Sequence, residues 1–85
     1  MEKVIGTING IKLIQLDETF NIYEETENGS TLIAVVEASN NPTVKLIGEH
    51  LTESLIKNNK INAFNDVVES AISLAKLSHL DTLFS

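Results

Sequence analysis

Two Asn-Gly dipeptides, Asn9-Gly10 and Asn28-Gly29, most constrain what this chain can fold into. Asparagine and glycine adopt positive φ at low cost, so the pair suits both central positions of a type I′ turn, whose twist matches that of two antiparallel strands. Strand-favouring residues flank each dipeptide, and two hairpins are therefore expected. The first pairs Val4 to Ile8 with Ile11 to Leu16, setting Ile8 opposite Ile11, Gly6 opposite Leu13 and Ile5 opposite Ile14. The second pairs Phe20 to Glu27 with Ser30 to Ala38, setting Glu25 opposite Leu32, Tyr23 opposite Ala34 and Ile22 opposite Val35. Asp17-Glu18-Thr19 joins them. Gly6, inside a strand pattern, marks a bulge or a close approach.

Asn40-Asn41-Pro42 breaks the pattern, because proline fixes its own φ and pushes the preceding residue out of the helical region. A fifth strand, Thr43 to Ile47, follows, and Gly48 separates it from a change of period. Ile47, Leu51 and Leu55 recur every four residues with Ile56 adjacent, the spacing of a short amphipathic helix that stops at Asn58-Asn59. A second helix has Asn62 or Asp66 as N-cap candidates, the latter with Glu69 three residues on in a capping-box arrangement. Strands followed by helices define the class as α+β: an antiparallel meander of about five strands followed by two C-terminal helices packed on one face. With 85 residues the chain is read as one domain spanning 1–85, with 1–47 mainly strands and 48–85 mainly helices.

Composition excludes whole classes of function. Acidic residues outnumber lysines 12 to 6, arginine is absent and the formal net charge is −6. Bidentate phosphate recognition and guanine readout need arginine, and an acidic chain is repelled by nucleic acid and by anionic lipid, so neither is expected as a partner. There are no cysteines, hence no disulfides and no thiolate metal site. Leu32 to Val36 is the longest apolar run, too short for a signal peptide or a membrane span, and the expected location is the cytoplasm. Nine Asn, ten Ile and no Arg or Trp fit an AT-rich coding sequence, as in low-GC bacteria and their phages, and so a bacterial or phage-infected host cell. Hydrophobic residues at 42% and charged residues at 21% are ordinary for a folded domain.

The most informative feature is that apolar residues fall on both faces of the expected sheet. Side chains alternate along a strand and cross-strand pairs share a face. One face collects Ile8, Ile11, Leu13, Phe20, Ile22, Ile33 and Val35; the other collects Ile5, Ile14, Leu16, Tyr23, Leu32, Ala34 and Val36. Two helices of about thirty residues in all cover one face of five strands, not two. Either the sheet closes on itself or the second face is buried against another chain. The second helix is also apolar beyond one stripe, with Leu77, Leu80, Leu83 and Phe84 near its end. The interaction residues expected on this reading are Ile5, Ile14, Tyr23, Leu32, Ala34, Val36, Leu77, Leu80 and Phe84.

Other residue groups admit sharper chemistry. Glu24, Glu25 and Glu27 form an acidic run that can either mimic nucleic-acid phosphates in a basic cleft or simply keep an edge soluble. It lacks the loop pattern of a calcium site. His50 with Glu49 and Glu53 offers a His-x-x-Glu pair, but a metal site needs a third ligand and only His79 with Asp81 is available. Ser78, His79 and Asp81 have the residue types of a hydrolytic triad, yet helical neighbours do not face one another. No catalytic, metal or cofactor residue is therefore assigned. The function expected is a small, acidic, non-catalytic interaction protein that self-associates or binds another protein. The alternatives are a phage or mobile-element inhibitor that blocks a basic site on a host protein through Glu24, Glu25 and Glu27, and an oligomer that binds a small ligand.

Overall fold

Five antiparallel strands in the order β1-β2-β3-β4-β5, each paired with its neighbour in sequence, form a single sheet. The computed structural model describes residues 1–48 and 51–84. The strands are β1 (Glu2–Ile8), β2 (Ile11–Leu16), β3 (Thr19–Thr26), β4 (Gly29–Glu37) and β5 (Val44–Leu46). Two helices follow, α1 (Leu51–Lys57) and α2 (Ile61–Phe84). The α+β meander read from the sequence is the architecture observed. β5 is a residue shorter at each end than expected.

The first hairpin turns as its sequence requires, with Asn9 and Gly10 both at positive φ (45° and 78°) and Ile8 opposite Ile11. Farther along, Val4 rather than Ile5 stands opposite Ile14, because Ile5 is the extra residue of a bulge beside Gly6. β2 and β3 are joined by a third tight turn, Asp17-Glu18, in which Asp17 takes φ 57° and Thr19 already belongs to β3. Aspartate tolerates that left-handed conformation because its side chain can bond locally.

The second hairpin departs from the expected register. Its loop is Glu27-Asn28, and Gly29, at φ 117°, opens β4 opposite Thr26. Glu25 thus faces Ser30 and Tyr23 faces Leu32; then β4 inserts one extra residue, Ile33, and Ile22 faces Ala34. A two-residue shift leaves every side chain on its face, but the one-residue bulge exchanges faces beyond it. Ala34 and Val36, expected on the uncovered face, are fully buried under the helices. Val35 turns outward instead.

The core lies between the sheet and α2. Phe20, Ile22, Ile11, Leu13, Ile33, Ala34 and Val36 contribute from the strands, Leu55 from α1, and Ala63, Val67, Ala71 and Ala75 from α2. That helical set repeats every four residues, one step per turn, and its small side chains let the helix axis approach the sheet. α2 begins at Ile61, ahead of both expected caps, so Asp66 lies in its second turn. The start is set by the end of α1, a Schellman arrangement: Asn59 is left-handed (φ 55°), its N–H donates to Ile56 O at 3.1 Å, and Lys60 N–H donates to Leu55 O at 2.8 Å. Ala71→Leu forces extra methyl groups into a closed seam and is expected to destabilise by about 1–3 kcal/mol. Thermal unfolding checks this, with Tm falling by roughly 4–8 °C per kcal/mol, whereas Leu83→Ala on the exposed end of α2 leaves Tm nearly unchanged.

Candidate functional site: an open sheet face and a buried carboxylate

Register and alternation give the side of the sheet away from the helices three cross-strand rows. Thr7, Lys12, Tyr23 and Leu32 form one; Val4, Ile14, Asn21, Val35 and Lys45 the second; Glu2, Leu16, Thr19 and Glu37 the third. The middle is largely apolar, with Asn21 set between Ile14 and Val35 on the central strand. Ile14 is 8% exposed among its neighbours, Tyr23, Leu32 and Val35 are half-buried, and Leu16 and Val4 are exposed. No described residue of either helix packs on this side. Lys12 and Glu25 form an ion pair on it, and the remaining charges stand at its rim.

The residues expected to form one interaction surface divide. Ile14, Tyr23 and Leu32 lie together on the open face. Ile5 instead lines shallow clefts with Asp66, Ser70 and Val67 of α2, on the helix side. Leu77, Leu80 and Phe84, spaced three and four apart, flank a groove with Gln15 and Phe20 where α2 runs past its last buried residue, Ala75. Phe84 is 85% exposed there.

The acidic run does not make a surface. Strand alternation sends Glu24 toward the helices and Glu25 to the open face, and only Glu27 stays free at the tip of the hairpin. Glu24 is 5% exposed, and its surroundings were not foreseen from the sequence. Ser54 Oγ donates to both of its oxygens, at 2.8 and 3.1 Å, Asn58 Nδ2 approaches Oε2 at 3.5 Å, and Lys60 Nζ lies 3.5 Å from the same oxygen. Lys60 Nζ also donates to Glu25 O at 3.0 Å. Asn9 Nδ2 donates to Asn59 O at 3.2 Å, tying the first hairpin to the turn between the helices. Gly10 suits this position by its positive φ, and its bare Cα leaves room for Lys60 Nζ, which a Cβ would meet at 3.0 Å. One signal was available: Phe20, Ile22 and Glu24 share a face, so the charge continues an apolar stripe.

Glu49 and His50 lie outside the described residues, as does any test of their pairing with Glu53. His79 is half-buried and Asp81 exposed on α2. Among the described residues no group of three or more His, Asp or Glu could hold a metal ion, and no helix is long and apolar enough to cross a membrane. No protein-family model, no curated protein and no solved structure matches the chain.

Breaking a buried charge pair from one side leaves the other charge uncompensated, which costs about 3–5 kcal/mol. Glu24→Ala and Lys60→Met are each expected to destabilise on that scale. The double variant should lose clearly less than the sum, a coupling that a denaturant-unfolding cycle measures directly. Additive losses would mean the two groups act independently.

Proposed function

We propose that the protein is a non-catalytic interaction module whose open sheet face binds a second copy of the chain. The observation that carries this reading is the apolar set on that face, Val4, Ile14, Leu16, Tyr23, Leu32 and Val35, on which no described residue of either helix packs. Val4 and Leu16 are exposed and Tyr23, Leu32 and Val35 half-buried around Ile14, so a partner seated there would take further apolar surface out of water. Four strands of roughly 20 Å and a shorter β5, about 4.8 Å apart, present an area that lets two copies approach the roughly 1,000 Å² of a specific interface.

Charge favours the same occupant. The molecule carries −6, which opposes approach of two copies. The open face is nearly balanced, with Lys12 and Lys45 against Glu2, Glu25 and Glu37, so it is the side on which like molecules repel least. Two sheets packed there would place their helices outside, in the aligned face-to-face manner of sheet sandwiches. With Glu24 turned inward, the run offers a basic partner fewer exposed carboxylates than the sequence suggests, which favours the apolar face as the contact surface.

Molar mass by light scattering during size exclusion tests the proposal. The wild-type chain should run as a dimer whose mass is insensitive to salt, because apolar burial rather than ion pairing holds it. Leu32→Glu together with Val35→Glu should yield a folded monomer, since both side chains sit on the open face. Ile56→Glu, on the exposed side of α1, should leave the dimer intact. A wild-type monomer, or a dimer untouched by the paired change, would refute self-association through this face.

A further inference from the structure

We propose that Asn28 is a site of spontaneous backbone modification, converting to aspartate and isoaspartate in the folded protein, while the chemically equivalent Asn9 is protected by the fold. This stands independently of the open sheet face. Both asparagines precede glycine, whose amide nitrogen carries no neighbouring side chain to hinder attack. Gly29 N, after losing its proton to hydroxide, attacks Asn28 Cγ; the N–Cγ bond forms, the Cγ–Nδ2 bond breaks, and ammonia leaves with a proton taken from water. Water then opens the resulting succinimide at either carbonyl, giving aspartate or an isoaspartate whose main chain runs through Cγ. Water is the sole co-reactant consumed, and no electrons are transferred.

The ring can close only when the turn opens far enough for the nitrogen to reach Cγ, so the local opening cost sets the rate. At the β3–β4 tip that cost is small. Every residue from Thr26 to Thr31 is exposed, and a Cβ built on Gly29 meets nothing within 4 Å. The side-chain bonds lost are short-range ones, Asn28 N–H to Thr26 Oγ1 at 3.2 Å and Thr26 Oγ1 to Gly29 O at 3.3 Å. At the first turn, although Asn9 is also exposed, the same motion breaks ties to the α1–α2 connection and to β3. Asn9 donates its reacting amide to Asn59 O at 3.2 Å, Glu25 N–H donates to Gly10 O at 2.8 Å, and Gly10 sits against Lys60, the partner of buried Glu24. Identical dipeptides are therefore placed in opposite kinetic situations, and each conversion at Asn28 adds a negative charge beside Glu27.

The test is incubation of the full chain at mildly alkaline pH, native and in denaturant, followed by peptide mapping that resolves aspartate from isoaspartate. In the native protein Asn28 should convert at least about tenfold faster than Asn9, the factor expected when one site must break an extra hydrogen bond and its packing to open. In denaturant the two rates should become alike. Asn28→Gln should abolish the fast phase, since the longer side chain closes its ring far more slowly, and leave only slow conversion at Asn9. Equal native rates, faster conversion at Asn9, an Asn28 that stays intact, or a rate ratio unchanged by denaturant would each overturn the proposal.

Discussion

A carboxylate held out of water between a sheet and two helices organises this small domain. Burying a charge costs several kcal/mol even after relaxation, unless donors replace the lost water. Around Glu24 those donors come from Ser54, Asn58 and Lys60, that is, from α1 and the turn that follows it. The carboxylate thus ties α1, and the turn from which α2 starts, to β3. Apolar packing alone would not do this. The buried stripe Ala63, Val67, Ala71, Ala75 looks nearly the same after sliding by four residues, about 6 Å along the helix axis. The polar cluster at the head of α2 removes that ambiguity, in the way a single buried polar residue fixes register between paired helices.

The two bulges perform a related task within the sheet. Ile5 in β1 and Ile33 in β4 are each an extra residue between strands that otherwise pair evenly. The bulge in β4 lets Ile33, Ala34 and Val36 all reach the core, where strict alternation would have sent one group to the opposite side. On the outermost strand β1, the irregularity interrupts the regular spacing of unpaired backbone groups, and with Lys3 it discourages edge-to-edge addition of another strand. The sheet is thus guarded at this edge while its open face stays apolar.

Much of this was legible from local signals. Asn9-Gly10, Asn40-Asn41-Pro42 and Asn58-Asn59 each act through backbone preferences that a sequence displays directly, and the strand order follows from short turns that leave little choice of partner. Registers were harder. Asn28-Gly29 fits the centre of a two-residue turn, but a glycine can equally supply the positive φ just after such a loop, as Gly29 does, and nothing in the sequence distinguishes the two. Bulges are harder still to read, because they arise from how the sheet packs against the helices rather than from local preference. Ala34 and Val36 were assigned to the wrong face for that reason, while Ile14, Tyr23 and Leu32, on the near side of the irregularity or on unbulged strands, were assigned correctly. Glu24 escaped notice because its partners lie thirty or more residues away.

The uninterrupted meander also bears on how fast the chain reaches this structure. Every strand pairs with the one before it through a short connection, so forming the sheet requires no costly closure of long loops. Hairpins of this kind assemble in about 1–10 μs, and domains dominated by local pairing fold toward the rapid end of the observed range. The longest-range closure left is that of α2, whose buried residues Ala63, Val67, Ala71 and Ala75 must reach strands near the beginning of the chain. Lys60 against Glu24 stands at the head of that contact, where a helix arriving over a paired sheet meets its first polar partner.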